Sequence, residues 1–571
     1  MARAASSRHL ALVALAGLPF VSVAIGSPEF TVVALTGTDG PLGPGLGPNV
    51  IYWGVGHPET DNAGNLLFSG VVQGPSYLNS ASSTSFGVPS NAPVILAETD
   101  VVAGGSFSGS ASTPSLHEAR NGTVLQAGFI DDGFVFLCWE SGAWTEFYRA
   151  GTGPAPGLPQ WVDEADWHWY GQFEGGSTPI FNDAGFVAMT TKVFGDASAG
   201  YTTDWEGVWT GVGAPTTRIA FEDAPVPGSG GAEDWLKMMG PSLAPDNSIA
   251  FHAEIGPFNG PRRDAFFVGD TSGFGALTRI AAENETAPGA GGDLFGEIDF
   301  TRANVADSGV VAFAAYVSST DPQRTRGLWH GDANSLALLS RSGDPADGFG
   351  PGAFITDFHD VNLRSDGSLS YVEQGDLGGS EVFAVRTGSP GDMKTALKTL
   401  DGALHPTDPT ETILEPYAVA SNASGDLVIV ATTISGLARA TNTSLFAWND
   451  SLGATRIAGT DDVIEVGPGD MRTISEIAIR TAHPRLGVAD ALGDDGLLTF
   501  RVRFTDNSLA ILAANVASNI ADLNGDGGVD GADIAVILAS WGSCAGCPAD
   551  LNGDGVVSGG DIAVLLANWT Q

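Results

Sequence analysis

The stretch from Gly309 to Gly331 contains the runs GVVAFAAYV and GLWHG, joined by the polar connection SSTDPQRTR. Short β-rich runs bounded by Gly, Ser, Asp and Pro residues are typical of paired β-strands. In the first run the turn residue Gly309 precedes the large apolar residue Phe313 by four positions. The rest of the chain is best interpreted by following this spacing.

The same spacing recurs along most of the chain. It occurs at Gly64/Phe68, Gly185/Met189, Asn247/Phe251, Gly309/Phe313, Gly367/Tyr371, Gly425/Ile429 and Gly496/Phe500. Gly122 lies at the same interval, but Gln126 replaces the apolar residue. The intervals are about 60 residues, which indicates an internal repeat of three or four strands.

The number and size of these units predict an all-β fold, a β-propeller of about 7–8 repeats. We assign this repeat region to residues 27–517. A row of β-sandwich domains is an alternative, although its units would usually be longer. A β-solenoid is another, with shorter and more regular repeats.

A second repeat, 21 residues long, occurs twice near the C-terminus: ADLNGDGGVDGADIAVILASW from Ala521 and ADLNGDGVVSGGDIAVLLANW from Ala549. Each copy has oxygen-bearing side chains at loop positions 1, 3 and 5, glycine at position 6 and a carboxylate at position 12. A twelve-residue loop with this spacing can surround a calcium ion. A pair of Asn-Gly and Asp-Gly turns would produce a similar pattern. The predicted ligands are Asp522, Asn524, Asp526, Gly528, Asp530, Asp533, Asp550, Asn552, Asp554, Val556, Ser558 and Asp561.

The calcium loops depart from the EF-hand pattern, because position 12 is Asp in both copies and no convincing helix precedes either loop. A duplicated loop followed by a helix resembles the type I dockerin module, in the variant with a Gly/Cys spacer found on secreted bacterial proteins. The resemblance implies a small all-α domain over residues 518–571, two calcium ions and a cohesin-like protein partner.

The resemblance also implies a docking surface formed by the residues at loop positions 10 and 11 and by one helix face. These residues are Gly531, Ala532, Ile534, Ile537, Leu538, Trp541, Gly559, Gly560, Ile562, Leu565, Leu566 and Trp569. Apolar residues at helical spacing must also pack the two helices together. The alternative is that both helices are entirely core and that the tail caps the propeller.

The cysteines Cys544 and Cys547 form a C-x-x-C motif between the two loops. Zinc would require two further ligands, which no nearby Cys or His supplies. In an exported protein a structural disulfide is expected. Cys138, within FVFLCW, is expected to be a buried and inert thiol.

The N-terminus has basic residues at Arg3 and Arg8, an apolar run from Leu10 to Val23 and small residues near Gly26. These features predict a signal peptide over residues 1–26, a secreted or cell-surface protein and no membrane span after cleavage. A retained N-terminal anchor is the alternative. The net charge of −41 argues against nucleic acid as a partner, because its binding requires a basic surface.

The stretch from Trp161 to Glu174, WVDEADWHWYGQFE, sets the carboxylates Asp163, Glu164 and Asp166 beside aromatic residues. Glycosidases need two carboxylates across the scissile bond. The alternation of Trp167 and Trp169 equally describes one face of a strand. Three interpretations therefore remain open: a structural strand, a carbohydrate-binding surface or a catalytic site.

Elsewhere no catalytic motif is present, and the catalytic residues are unknown. His252 follows the repeat residue Phe251, so it is expected to face outward. The Asn-x-x-Gly form of the repeat turn stands at Asn182/Gly185 and Asn422/Gly425, with Asp61/Gly64 close to it. This pattern resembles the tandem NxxGxxxF repeats of exported bacterial proteins, a resemblance that implies no chemistry.

These observations favour a secreted, calcium-dependent anchored binding or structural protein whose dockerin-like tail docks to a cohesin-like partner. The alternatives are an extracellular polysaccharide-active hydrolase and a lectin or adhesin carried by the same anchor. Carbohydrate is accordingly a second candidate partner.

Overall fold

The computed structural model describes residues 30–571 with gaps. The gaps are residues 39–40, 62–63, 76, 98–99, 103–104, 109–116, 121, 131–132, 150–166, 170–179, 183, 196–203, 213–216, 258–259, 274–275, 299–303, 404–408, 436–439, 451–452, 481–490, 517–520, 522, 524–528, 530, 545–546, 548, 552–554, 568 and 570–571. The predicted signal peptide lies outside the described residues. Within them, no helix is long and apolar enough to cross a bilayer.

Antiparallel strands arranged in eight sheets make up most of the described chain. The first half contains β1 (Thr31–Leu35); β2 (Ile51–Val55), β3 (Glu59–Thr60), β4 (Leu66–Gly74), β5 (Tyr77–Gly87) and β6 (Val94–Ala97) in blade 1; β7 (Val101–Val102), β8 (Gly105–Ser108), β9 (His117–Arg120), β10 (Thr123–Ile130), β11 (Gly133–Glu140) and β12 (Ala143–Arg149) in blade 2; β13 (Trp167–Trp169), β14 (Ile180–Phe181), β15 (Phe186–Gly195), β16 (Asp204–Val212) and β17 (Thr217–Phe221) in blade 3; and β18 (Asp234–Met238), β19 (Ser242–Leu243), β20 (Ser248–Gly256), β21 (Arg263–Asp270) and β22 (Leu277–Ala282) in blade 4.

The second half continues the same arrangement. It contains β23 (Phe295–Ile298), β24 (Asn304–Val305), a 3-10 turn (Asp307–Gly309), β25 (Val311–Val317), β26 (Arg326–Gly331) and β27 (Ala337–Arg341) in blade 5; β28 (Ala353–Leu363), β29 (Leu369–Leu377), β30 (Ser380–Ser389) and β31 (Asp392–Lys398) in blade 6; β32 (Thr412–Ser421), β33 (Leu427–Ile434), β34 (Thr441–Asn449) and β35 (Gly453–Gly459) in blade 7; and β36 (Val463–Gly467), β37 (Asp470–Ala478), β38 (Leu497–Phe504) and β39 (Leu509–Asn515) in blade 8.

Blade 8 is completed by β1, which pairs with β39 in the strand order β1-β39-β38-β37-β36. In this pairing Leu35 lies opposite Ala510. The first strand of the described residues, β1, is therefore the outer strand of the last blade, which closes the ring. The fold is an eight-bladed β-propeller, as the repeat predicted, with the blade count at the upper end of the expected range.

The segment that leads into the repeat turn is the innermost part of each blade; it ends in β3 in blade 1 and is β37 in blade 8. Such segments contact one another in neighbouring blades, as β28 and β32 do. A turn connects each segment to the next strand of its blade, and this turn contains the repeat residue found in the sequence. All eight of these residues have positive φ values between 71° and 88°: Gly64, Gly122, Gly185, Asn247, Gly309, Gly367, Gly425 and Gly496. Glycine and asparagine adopt this conformation at the lowest cost, which explains why the repeat uses them.

Hydrogen bonds join the turns of neighbouring blades. The Asn182 side chain donates to Ala244 O at 2.9 Å and accepts from Phe186 N of its own turn at 3.0 Å. Asn422 likewise donates to Gly493 O in blade 8 at 3.3 Å, and Asp61 accepts from Gly122 N in blade 2 at 2.8 Å. The Asn-x-x-Gly form of the repeat thus has a structural role between blades.

The hydrophobic core lies between blades, where the sheets pack face to face. One cluster combines residues of blades 3 and 4, including the fully buried Trp209, Trp235 and Phe251. Because both faces of a sheet contact neighbouring blades, adjacent strand residues can both be buried. The expectation for His252 is therefore wrong: it is only 3% exposed. Gln126, at the weak copy of the repeat, instead accepts a hydrogen bond from Thr84 of blade 1 at 2.9 Å.

The C-terminal segment contains the helices α1 (Gly531–Ala539) and α2 (Gly559–Ala567). Between them, β40 (Gly542–Ser543) pairs with β41 (Val556–Val557). A separate apolar cluster includes Ala521, Ile537, Val557 and Leu565. The segment is thus not purely α-helical as expected, because residues of the second loop form a short ladder with the chain that follows α1.

Candidate functional site

The predicted calcium loops are described only in part. Seven predicted ligands lie outside the described residues: Asp522, Asn524, Asp526, Gly528, Asp530, Asn552 and Asp554. The other five, which the structure describes, are Asp533, Asp550, Val556, Ser558 and Asp561. Among the described residues, no three His, Cys, Asp or Glu side chains gather into a group that could hold a metal ion.

The carboxylates at loop position 12, Asp533 and Asp561, are both fully buried. Asp533 Oδ1 accepts a hydrogen bond from Leu523 N at 2.7 Å. Asp561 Oδ2 accepts one from Ser558 N at 2.7 Å. Burying a carboxylate is costly unless its charge is compensated. The position and burial of these two groups fit a cation in each loop.

The second loop also shows the turn geometry that the pattern requires. Gly555, at position 6, has a φ of 86°, and its N–H donates to Asp550 Oδ2 at 2.8 Å. Ser558 Oγ accepts from Gly560 N at 3.1 Å, and Asp561 accepts from Ser558 N in return. This reciprocal pair caps the start of α2, so Asp561 has a helix-capping role as well. Val556, expected to offer its carbonyl, lies in β41 opposite Ser543.

The predicted docking residues separate into two sets in the same way in both copies. Ile537 and Leu565 are fully buried, and Ile534 and Ile562 are partly buried against the same cluster. By contrast, four large apolar side chains remain exposed: Leu538 (57%), Trp541 (54%), Leu566 (53%) and Trp569 (40%). Gly531, Ala532, Gly559 and Gly560 are also exposed.

The spacer between the copies contains a disulfide. Cys544 Sγ and Cys547 Sγ lie 2.06 Å apart, and both cysteines pack against the apolar cluster of the C-terminal segment. Cys544 N also donates to Gly555 O at 3.0 Å, which connects the spacer to the second loop. Cys138 is a free, partly buried thiol, and burial raises its pKa.

The aromatic and acidic stretch from Trp161 to Glu174 is described only at Trp167–Trp169. This backbone forms β13, the first strand of blade 3, and pairs with β15. Asp163, Glu164 and Asp166 lie outside the described residues, so the three interpretations of the stretch remain predictions.

Sequence reasoning missed a set of charged residues on the innermost strands. In six blades the innermost strand contains one residue whose carbonyl accepts a hydrogen bond from a backbone N–H earlier in the chain; we call it the anchor residue. A β-bulge directly follows the anchor residue. Two positions after the anchor lie Gly54, Lys237, Glu297, Asp357, Glu415 and Glu476. The bulge turns this position toward solvent, and five of these six residues are charged. This position lies at the same distance before the repeat turn residue in blades 1, 4, 6 and 7 but farther from it in blades 5 and 8, so it can be recognised only once the bulge is known.

A second group, which we call the seam cluster, lies where blades 7, 8 and 1 meet. It consists of His57, Tyr417, Glu476, Arg480 and Arg501. Glu476 accepts from Arg503 Nε at 3.0 Å and lies 3.8 Å from a terminal nitrogen of Arg501. Arg480 pairs with the fully buried Glu59 of blade 1.

The charges of the seam cluster act on the pKa values of His57 and Tyr417. Burial, Arg501 and Arg480 lower the pKa of His57 to about 4, although Glu476 acts in the opposite direction. Burial raises the pKa of Tyr417, and Glu415 and Glu476 add to this effect. Glu476 therefore influences groups from both neighbouring blades, and His57 is neutral at physiological pH.

Comparison with known proteins gives one family match. A model described as a family of unknown function, DUF7453, matches residues 60–518. No curated protein matches the chain.

Several solved structures resemble the chain at low identity. An oligogalacturonate lyase in complex with manganese is 12% identical, with 72% of this chain and 96% of that chain covered and a TM-score of 0.35. The polysaccharide lyase Uly1 is 13% identical, with coverages of 72% and 91% and a TM-score of 0.33. The β-propeller domain of the Trilobed protease from Pyrococcus furiosus is 8% identical, with coverages of 71% and 96% and a TM-score of 0.30. Likenesses at this level carry no argument about the activity of this chain.

Proposed function

The chain belongs to DUF7453, a family of unknown function, and we propose that it is a secreted, calcium-dependent anchored binding or structural protein. In this proposal the C-terminal segment binds two calcium ions and docks to a cohesin-like protein domain. The propeller is the module that the anchor holds in place.

The observation that carries the proposal is the matched division of the apolar residues in the two helices. Each copy buries one large apolar residue of its helix completely, Ile537 or Leu565, and exposes a Leu and a Trp at corresponding positions. Exposed apolar groups of this size are typical of interaction surfaces. Tryptophan is also enriched among the residues that dominate binding energy at interfaces. The alternative in which both helices are entirely core does not account for these exposed residues.

Calcium would order the loops from which the helices begin. The buried carboxylates Asp533 and Asp561, with the Gly555 turn, support this part of the proposal. When bound, calcium would offset the cost of burying these carboxylates. Independently of calcium, Ser558 and Asp561 cap the start of α2 through their hydrogen bonds.

The calcium part is tested by isothermal titration of the full-length protein. We expect two bound ions in the wild type and none in the Asp522→Ala/Asp550→Ala double variant. A charge-matched control is Asp450→Ala/Asp506→Ala, which removes two exposed acids of the propeller, 65% and 55% exposed. The absence of calcium binding in the wild type would contradict the proposal.

The docking part is tested with an immobilised cohesin-like domain, with calcium and with a chelator. Binding should require calcium and should be lost in Trp541→Ala/Trp569→Ala. Either single variant should retain binding, because the two copies are nearly identical. Met471→Ala removes a similarly exposed apolar side chain of the propeller, 56% exposed, and should bind as the wild type does. Unchanged binding of the double variant would exclude this surface.

A further inference from the structure

The seam cluster combines arginine, tyrosine and neutral histidine side chains on three blades, and the proposed anchoring function uses none of them. We propose that it is a binding site for the carboxylate group of an acidic saccharide. Arg501 would bind the carboxylate, and the exposed ring of Tyr417 would contact the sugar ring.

The first observation is the incomplete pairing of Arg501. Its side chain is only 18% exposed, and its nearest acid is Glu476 at 3.8 Å. Glu476 already binds Arg503 at 3.0 Å. Within the described part of the chain, the Arg501 guanidinium donates no hydrogen bond. A mostly buried guanidinium with free donors is suited to bidentate recognition of a carboxylate.

The second observation is the local balance of charge. Arg480 is compensated by Glu59, whereas Arg501 and Arg503 share Glu476. Among the described residues of blade 8, the cluster thus sets two arginines against one carboxylate, and Glu415 of blade 7 lies on its Tyr417 side. The chain as a whole has 66 acidic and 25 basic residues. A local excess of arginine is therefore unusual for this protein and favours an anionic ligand.

The third observation is the polar surface around Arg501. His57 Nδ1 is buried and has no hydrogen-bond partner among the described residues, so the cluster holds an unused hydrogen-bonding group just below its surface. Burial and the two arginines keep His57 neutral, which leaves the arginines as the positive groups of the site.

Two exposed aromatic rings lie on the innermost strands that border the cluster. Tyr417 on β32 is 45% exposed and Trp53 on β2 is 67% exposed. Trp53 has the same position relative to its anchor residue in blade 1 as Ser475 has in blade 8. An aromatic ring offers an apolar face to a sugar, while arginine and histidine bind its polar groups. This combination favours a saccharide over a simple anion.

The site is tested by calorimetry and thermal unfolding of the full-length protein at low ionic strength. The probes are an oligomer of glucuronic acid, the corresponding glucose oligomer and acetate. Of the three probes, we expect only the glucuronic acid oligomer to bind. It should raise the melting temperature, because it binds the folded propeller and not the unfolded chain. Binding should persist with a calcium chelator, so its outcome is separate from that of the docking experiments.

Arg501→Gln should weaken binding by about tenfold or more, because a charge-assisted bidentate contact is lost. Arg324→Gln in blade 5, which removes the same charge from a pair with Asp344 at 2.9 Å, should bind as the wild type does. If Arg501→Gln does not fold, Tyr417→Ala provides a second test and should also weaken binding. The proposal is overturned if the wild type binds none of the probes, if glucose oligomers or acetate bind equally well, or if Arg501→Gln and Arg324→Gln behave alike.

Discussion

Blade 6 is a sheet of four antiparallel strands and blade 8 is a sheet of five, and the contacts that hold them together join residues at very different separations along the chain. Blade 6 is continuous from Ala353 to Lys398, and its buried ion pair, Glu373 with Arg386, joins residues 13 positions apart. Blade 8 takes its outer strand from the start of the chain. At its border with blade 1, Arg480 binds Glu59 over a separation of 421 residues.

The difference indicates that the ring has one region where closure depends on bringing the chain ends together. Closing a long loop costs more entropy than closing a short one, although the cost grows slowly with length. The contacts at the seam must compensate for this cost, whereas those of blade 6 need not. We therefore expect the loss of one contact at the border of blades 8 and 1 to open the ring locally, and the loss of a similar contact in blade 6 to lower only the overall stability.

The largest effect is expected from the two buried ion pairs. Arg480→Met and Arg386→Met should each lower the free energy of unfolding by about 4 kcal/mol, because each leaves a buried carboxylate without its arginine. Urea denaturation measures this loss. Only Arg480→Met should also accelerate hydrogen exchange in β1 and β3. Equal acceleration in Arg386→Met would show that the seam is not a distinct region.

The next effect concerns the outer strands of the two blades. Leu35 in β1 and Leu397 in β31 are both buried, 5% and 2% exposed. Leu→Ala at either position should cost about 3 kcal/mol, through lost burial and the remaining cavity. Because β1 has no preceding described strand to hold it, Leu35→Ala should make the N-terminal segment sensitive to proteolysis below the global melting temperature. Leu397→Ala should not, and early cleavage within blade 6 would contradict this comparison.

A smaller effect is expected from the hydrogen bonds between blades. Asn362 donates to Val419 O at 3.0 Å between blades 6 and 7, and Asn422 donates to Gly493 O between blades 7 and 8. Alanine at either position should cost about 1–2 kcal/mol, because a buried carbonyl loses its donor. Asn→Asp at the same positions keeps the side-chain shape but replaces the donor with a negative charge, so it should destabilise the protein at least as much as alanine does. If only Asn422→Ala is destabilising, the seam alone would depend on these bonds.

The smallest effect concerns pH. The pKa of His57 is lowered from 6.5 to about 4, so its contribution to stability is present above pH 6.5 and is lost as the pH falls toward 4. In blade 4, burial and neighbouring acids raise the pKa of Asp264 from 3.8 to about 6. Its contribution is present below pH 3.8 and is lost as the pH rises through 6.

Thermal unfolding across this range distinguishes the two groups. His57→Gln should flatten the acidic side of the stability profile, and Asp264→Asn should remove the opposing trend. The charged groups that act on His57 are Arg501, Arg480 and Glu476. An unchanged stability profile in His57→Gln would show that the pKa of His57 is the same in the folded and unfolded states.

The repeat turns illustrate what sequence reasoning can reach. A residue with positive φ is restricted to few residue types, so eight such turns remain visible as Gly or Asn at regular intervals. The weak copy at Gly122 is recognisable because its backbone requirement is the same. His252 shows the opposite case: its burial results from a neighbouring blade, which no local pattern records.

The two candidate sites differ in the same respect. In the C-terminal copies, ligands and helix residues lie within one short segment, so their spacing alone predicts a calcium loop and an apolar face. Which apolar residues stay exposed, Leu538 and Trp541 or Ile534 and Ile537, depends on how the two helices pack. The seam cluster had no sequence signal, because His57 and Arg501 are far apart in the chain.

The sequence by itself determined the all-β repeat, its approximate number of blades and the duplicated loop motif, since each depends on residues within one unit. Only the tertiary structure decided that β1 completes blade 8, that Glu59 meets Arg480 and that His57, Tyr417 and Arg501 all lie near Glu476. The physical reason is that ring closure brings together residues whose separation along the chain carries no local periodicity.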